Sequence, residues 1–327
     1  MSSLLTSPPL PPTARDRTRR ARLRRVDLRA NRFLIALTWV GAIAVVVVMA
    51  AVAFQIIQGA SQAINRFGPL FAFHSTWVPS LNKLGGLSFL FGSLITSLVA
   101  LVFATALGVS IGLFLALLAP RAVANVLGPL VEMLAAIPSV VMGLIGIIII
   151  SPFSAHTLEP VFHAVLGWTG LFGAPPQNGS SLFTASLVLT IMVLPIISSL
   201  TRDIFRTVPI ELRDGAEALG ATRWEMIRGI VLPTTVSGIT GACVLGFARA
   251  MGEAIAVTQV VGNASLIHAN LFLPGTTIAS AIANQFESPQ NNLTLSGLYY
   301  LALVLLVIGV LTNLLSRRVV AHGARLA

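Results

Sequence analysis

The segment ELRDGAEALGATRWEMIRGIVLP, residues 211–233, is rich in charged side chains, whereas the rest of the chain is largely apolar. Residues 201–233 carry five Arg and five acidic side chains, although only 10% of the 327 residues are charged. Ordinary soluble domains carry about 25% charged residues. The contrast indicates a solvated segment that connects regions buried in a different medium.

Local signals predict a first short helix in this segment. Pro209 can open a helix at its first position. Leu212, Ala216 and Leu219 then recur on one helical face. Gly220 supplies a stop after them.

A second short helix is predicted directly after Gly220. Thr222-Arg223-Trp224-Glu225 matches a capping box, and Pro233 is expected to end this helix before the next apolar span. Two short helices joined at a glycine are compatible with a solvated amphipathic connector. They are also compatible with a rigid element that fits a groove on a partner.

The composition on both sides of this segment is that of a membrane protein. Apolar residues make up 55% of the chain and the mean hydropathy is +0.88, which argues against a disordered chain or a water-soluble enzyme. Cys243 is the only cysteine, so an internal disulfide and a cysteine-only metal site are excluded. The five His are scattered without metal-ligand spacing, and we expect no metal site.

Six apolar segments approach or exceed the length of about 20 residues that crosses a bilayer. We place these spans near 33–57, 89–118, 125–150, 181–200, 235–261 and 293–316. Pro138 and Pro195 are expected to kink the third and fourth spans, which neighbouring helices tolerate. The predicted fold class is an all-α polytopic membrane protein with one transmembrane domain over 33–316.

Positive charge predicts the orientation. Of the 21 Lys and Arg residues, 18 fall on the side of the two termini, two on the opposite side and one within a span. This asymmetry places both termini and the loop 201–233 in the cytoplasm. Residues 1–32 are expected to form a flexible basic arm and 317–327 a cytoplasmic tail.

The opposite side is predicted to carry only short loops. They cover 58–88, 151–180 and 262–292 and hold few charges. None is long enough to form an independent binding domain, so high-affinity capture of a solute outside the membrane would need another protein.

Two spans carry small residues at every fourth position. The second has Gly92, Thr96, Ala100, Ala104, Gly108 and Gly112, and the fifth has Gly238, Ala242, Gly246, Ala250 and Ala254. This spacing keeps the small side chains on one helical face, where they allow close helix packing in lipid. We predict two packing seams from them and no particular function.

Arg249 and Glu253 are charged residues within the fifth span. Arg249 lies about 21 Å along that helix from Thr235, near the midplane of the bilayer. The spacing of four residues allows the two to pair as a structural ion pair. Because intramembrane charges usually face a transport pathway, we favour an anion-binding role, in which an arriving anion replaces Glu253 as the partner of Arg249. Glu132, by contrast, is expected near the cytoplasmic interface without a special role.

The segment 211–233 resembles the cytoplasmic loop motif of permease subunits in bacterial ABC importers. Asp214-Gly215-Ala216 stands where that family has E-A-A, Gly220 is its glycine, and Ile230–Pro233 gives the I-x-L-P ending. Together with ARAMGEAIAVTQVVGN, AIPSVVMGL and TIASAIANQF, it is similar to the PstC-type permeases of phosphate importers over roughly residues 70–320. The departures at Asp214 and Gly215 affect only the first turn of the motif.

The resemblance implies a type I (MetI-like) importer permease fold and a set of partners. These are a PstA-like permease subunit, two PstB-like ATPase subunits that hold ATP and magnesium, and a PstS-like phosphate-binding protein outside the inner membrane. It implies that Arg249 and Glu253 lie on the substrate pathway. It also implies that the loop 209–225 couples to the ATPase through Glu211, Asp214, Gly215, Ala216, Glu217, Gly220, Thr222 and Arg223.

This chain itself is not expected to be catalytic or to bind a cofactor. It lacks the GxxxxGK[ST] loop that cradles nucleotide phosphates, and it has no nucleophile–base pair or metal cluster that would indicate a membrane enzyme. One alternative is an ion-coupled secondary anion transporter with Glu253 as the proton carrier. Another is the sister PstA-type permease subunit.

Overall fold

A computed structural model describes residues 14–176 and 179–323, and the chain is helical almost throughout them. These residues contain two isolated β-bridges and no longer strand. Within them, six helical stretches are long and apolar enough to cross a membrane. They are Phe33–Phe73, Leu87–Leu118, Ser139–Thr169, Leu182–Arg206, Arg223–Met251 and Asn292–Leu315. The predicted all-α fold with six spans is confirmed, although several bounds differ from those expected.

The first helix begins earlier than the sequence suggested. Helix α1 covers Ala14–Phe67, so most of the arm expected to be flexible over 1–32 is helical, while residues 1–13 lie outside the described part. The reason is composition, since Arg, Ala and Leu are strong helix formers. The chain divides into two units, one up to Gln55 and one from Ile56 onward.

The second span agrees closely with its prediction, whereas the third does not. Helix α2 covers Leu87–Leu113 and continues in a π-helical turn, Phe114–Leu118. The segment expected as one span over 125–150 is divided near Pro138 into α3, Arg121–Leu134, and α4, Ser139–Ile145. From α4 the helix runs on through a π-helical turn Gly146–Ile150, α5 Ser151–Phe153, a π-helical turn Ser154–Leu158 and α6 Glu159–Leu166. Much of the loop expected over 151–180 is therefore helical.

The second half of the chain contains the charged segment. Helix α7 covers Leu182–Arg206, α8 Ile210–Ala218 and α9 Arg223–Met226, followed by a π-helical turn Ile227–Val231. Then come α10 Leu232–Met251, α11 Ile255–Val260, α12 Ile278–Gln285 and α13 Asn292–Gly323. The expected tail is helical as far as Gly323, and 324–327 lie outside the described residues.

π-helical turns explain why three prolines do not end their helices. Pro152, Pro160 and Pro233 each follow a π-helical turn by two residues, and the helix continues through them. A proline ring inside an α-helix collides with the carbonyl of the fourth preceding residue. In all three cases that carbonyl belongs to the wider π-helical turn, which accommodates the ring. The expectation that Pro233 separates the second short helix from the fifth span was therefore wrong.

Helix α7 is the centre of the bundle, and the two small-residue seams pack against it. All six small residues predicted for the second span are buried, and a Cβ on Gly108 would lie 2.9 Å from Ile197 of α7. From the other side, a Cβ on Gly246 of α10 would lie 2.8 Å from Val193 of α7. The predicted packing seams are confirmed, and they hold α2 and α10 close to α7.

Hydrogen bonds to Glu159 connect the third span to the start of α7. Its side chain is fully buried, and its Oε1 accepts hydrogen bonds from the hydroxyls of Ser154 and Ser181 at 3.1 and 3.2 Å. The Ser181 hydroxyl also accepts the backbone N–H of Thr184 and so caps α7. This contact is not predicted from the sequence, because residue 159 falls within the loop expected over 151–180.

Replacing Gly92 with Ala is expected to destabilise the bundle by about 1–3 kcal/mol, because the new Cβ would collide with the backbone carbonyl of Thr276. Gly309 on α13 offers a matched control, since a Cβ there meets nothing within 4 Å. Gly309→Ala should be neutral or slightly stabilising. Thermal unfolding of the purified chain in detergent compares the two variants, and equal melting temperatures would contradict the close packing of Gly92 against Thr276.

Candidate functional site

The fifth span contains a helix break at its intramembrane charges. Helix α10 ends at Met251 and α11 begins at Ile255, so the continuous helix expected over 235–261 is interrupted at 252–254. Across this break Arg249 Nη2 lies 3.2 Å from Glu253 Oε2. The predicted pair therefore forms, but at a helix end and not along an unbroken helix.

The two side chains of this pair differ in exposure. Glu253 is 5% exposed and Arg249 is 48% exposed. The other carboxylate oxygen of Glu253 accepts the backbone N–H of Ala256 at 3.3 Å and so caps the start of α11. Both carboxylate oxygens of Glu253 have partners, while about half of the Arg249 side chain is exposed on the surface of this chain.

The seam between α10 and α7 gives the position of Arg249 along the bundle. Gly238 packs against Ile204 near one end of α7, and Gly246 packs against Val193 near its middle. Arg249 follows Gly246 by about one turn. Since α10 and α7 run in opposite directions, residue 249 lies beside the first half of α7, between Val193 and the helix start at Leu182.

The charged segment forms the two short helices that the sequence predicted. Gly220 has a φ of +86°, a conformation that favours glycine and ends α8 sharply. The capping box is present at the start of α9: Thr222 Oγ1 accepts the Glu225 N–H at 3.3 Å, and Glu225 Oε2 accepts the Thr222 N–H at 2.8 Å. The turn between α8 and α9 is therefore fixed by local geometry.

A small apolar cluster attaches this segment to the bundle. Ala216, Met226 and Ile227 are buried together with Phe205 at the end of α7 and with Val208, which follows that helix. The cluster therefore packs α8 and α9 against the end of α7 and the start of α10. A cavity of about 170 Å³ lies beside the cluster, with Arg213 and Glu217 among its lining residues.

The outer surface of the segment is polar with two large apolar side chains. Leu219 is 91% exposed and Trp224 is 63% exposed. The predicted apolar face was wrong in part, because Ala216 is buried whereas Leu212 and Leu219 are exposed. Of the other residues predicted to couple to a partner, all are exposed: Glu211, Asp214, Gly215, Glu217, Gly220, Thr222 and Arg223. The structure thus brings these residues to one compact surface, separate from Arg249 and Glu253.

Sequence reasoning missed Leu219 and Trp224 as surface residues and Arg202 as the partner of Glu132. A large apolar side chain next to a glycine turn could have signalled the first two. No local pattern could have paired Arg202 with Glu132, which are 70 residues apart. Among the residues that the structure describes, no group of three or more His, Cys, Asp or Glu could hold a metal ion.

Named relatives align with most of the chain. A family model described as "Binding-protein-dependent transport system inner membrane component" matches residues 108–321. The "Phosphate transport system permease protein PstC" of Mesorhizobium japonicum is 41% identical over 86% of this chain and 87% of its own length. The protein of the same name from Haemophilus influenzae is 39% identical over 84% of this chain and 88% of its own.

Solved structures share the fold at lower identity. A chain of a bacterial alginate ABC transporter, solved in complex with an alginate-bound periplasmic protein, aligns with a TM-score of 0.59 at 15% identity. The alignment covers 90% of this chain and 97% of that one. A chain of the MetNI methionine ABC transporter in an inward-facing conformation aligns with a TM-score of 0.53 at 16% identity over 72% of this chain and 95% of that one.

Proposed function

We propose a function from one established premise: the chain belongs to the family of binding-protein-dependent transport system inner membrane components. The chain is the permease subunit of an ATP-driven phosphate importer and forms half of its translocation pathway. The proteins it resembles at about 40% identity over most of their length are named phosphate transport permeases. The structural observation that carries the proposal is the half-exposed side chain of Arg249, paired with the buried carboxylate of Glu253 at a helix break.

Arg249 suits a tetrahedral oxyanion. Its guanidinium presents paired N–H donors that match two oxygens of a phosphate. Because Glu253 also caps α11, phosphate approaches the accessible side of the guanidinium while Glu253 keeps it oriented. This assignment differs from the initial hypothesis of a full exchange of partners, since Glu253 would lose two contacts on leaving.

One arginine does not neutralise phosphate, which carries about −1.5 to −2 charges at pH 7. We assign the missing positive charge to the second permease subunit, a PstA-like chain that completes the pathway. A PstS-like protein delivers phosphate from outside, consistent with the short expected outer loops of this chain.

Energy comes from two PstB-like ATPase subunits, which bind ATP and magnesium. The surface of α8 and α9, with Leu219 and Trp224 exposed, fits an ATPase groove, and the cluster beneath it transmits force to α7 and α10. Closure of the ATPase dimer then shifts the bundle between two arrangements that open to opposite sides.

The proposed topology places both termini in the cytoplasm of a bacterial cell, with the arm, the segment 201–233 and the tail on that side. It rests on the distribution of Lys and Arg, since 18 of 21 lie on the side of the termini.

Reconstitution tests the proposal. The chain is placed in liposomes with the PstA-like, PstB-like and PstS-like partners, and uptake of labelled phosphate is measured with and without ATP. We expect uptake that requires ATP and the binding protein and that excess sulfate does not reduce.

Three results would argue against it. Uptake that persists without the ATPase would favour an ion-coupled transporter. If sulfate reduced the uptake of labelled phosphate as strongly as unlabelled phosphate does, the assignment of phosphate as the substrate would be wrong. No uptake by a correctly assembled complex would remove the transport proposal itself.

A further inference from the structure

An ion pair joins the end of α7 to α3, next to the segment that contacts the ATPase in the proposed function. Arg202 lies in the last turns of α7, and its Nη2 contacts Glu132 Oε1 on α3. Its Nε lies 3.5 Å from Oδ1 of the adjacent Asp203. The Arg202 side chain is 14% exposed and Glu132 is 47% exposed.

The Arg202 side chain is more deeply buried than the arginine of an ordinary surface ion pair. A Cβ on Gly128 of α3 would lie 2.6 Å from Arg202 Nη1, so the glycine lets the guanidinium lie against the α3 backbone. Exposed ion pairs contribute little to stability, whereas a largely buried guanidinium depends on its partner. Arg202 therefore joins α3 to α7 in two ways: by its ion pair with Glu132 and by its packing against the α3 backbone at Gly128.

A route made of side-chain contacts and of connections along the chain runs from this pair to the candidate anion site. Beyond Pro138, α3 is followed by α4, where a Cβ on Gly143 would lie 2.7 Å from the side chain of Gln259. Gln259 belongs to α11, the short helix that Glu253 caps. The end of α7 thus reaches Arg249 by a route through α3, α4 and α11, in addition to the direct route along α10.

We propose that Arg202 and Glu132 are a positioning pair that transmits movement of the ATPase-contacting segment to the helices around Arg249. The inference rests on the proposed transport function. Because α10 provides a second route, loss of the pair weakens the coupling between ATP hydrolysis and transport without abolishing it. Coupling is measured directly as the amount of phosphate transported per ATP hydrolysed.

The experiment uses the complete importer in liposomes and measures phosphate uptake and ATP hydrolysis in the same sample. Glu132→Gln keeps the shape of the side chain and removes its charge, and we expect the phosphate transported per ATP to fall about fivefold. Hydrolysis should stay within about twofold of wild type, since the ATPase surface is untouched. Glu132→Asp keeps the charge and should retain most of the coupling.

Asp203→Asn is the matched control. Asp203 touches the same guanidinium but lies on α7 itself, so it does not link α7 to α3. Its ratio of phosphate to ATP should match that of wild type.

The possible results separate the two proposals. An unchanged ratio in Glu132→Gln, a parallel loss of uptake and hydrolysis, or an equal fall in Asp203→Asn would each overturn the positioning role while wild-type transport stands. A wild-type complex that takes up no phosphate would overturn the proposed function, and the positioning role with it.

Discussion

Arg249→Ala is expected to lower ATP-dependent phosphate uptake about 100-fold in the reconstituted importer. Two charged hydrogen bonds to the anion are lost, each worth about 1.5 kcal/mol, and about 1.4 kcal/mol corresponds to a tenfold change. Arg249→Lys keeps the charge but loses the paired donors, and we expect a loss of about tenfold. Initial rates of labelled phosphate uptake at fixed permease content measure both.

A second variant tests whether the loss of uptake in Arg249→Ala comes from a destabilised protein. Arg249→Ala also leaves the buried carboxylate of Glu253 without its partner, which by itself destabilises a protein. In the double variant Arg249→Ala, Glu253→Gln the buried group is neutral, and a glutamine can still accept the N–H of Ala256. If the double variant regains wild-type thermal stability and remains inactive, Arg249 acts on the substrate. Recovery of uptake would show that the pair is only structural.

The sequence predicted those features of the molecule that depend on local pattern. The lengths of the apolar segments predicted six spans. The spacing of small side chains at every fourth residue predicted the helical faces that pack against α7. The capping box at Thr222 and the glycine turn at Gly220 depend on a few neighbouring residues, and both formed as expected. The charged pair Arg249 and Glu253 could be found because charge is rare within an apolar span.

The sequence failed where a distant contact or a change of helix type decides the outcome. Pro233 was taken as a helix end because a π-helical turn ahead of it has no recognised sequence signal. Glu132 was assigned no role because its partner Arg202 is 70 residues away. The break at 252–254 is not predicted, because the spacing of four residues between Arg249 and Glu253 also fits a continuous helix. The hydrogen bond from the Ala256 N–H to Glu253 is seen only in the folded structure.

Trp224→Ala is expected to weaken binding of the ATPase subunits to the permease pair about 30-fold. Trp224 presents a large apolar surface on α9, which is fixed by its capping box and by the buried cluster beneath it. Aromatic side chains on a rigid surface are frequent centres of binding energy, and their loss costs about 2 kcal/mol or more. Titration of ATPase into permease pairs held in nanodiscs measures the dissociation constant.

Trp168 provides the matched control, because it is 85% exposed but lies after α6, on the side predicted to face away from the ATPase. Trp168→Ala removes a similar apolar surface and should leave the dissociation constant unchanged. Equal weakening by both variants would indicate a general effect on the permease. If neither variant weakened binding, the outer surface of α8 and α9 would not be the ATPase contact, and force would have to enter the bundle elsewhere.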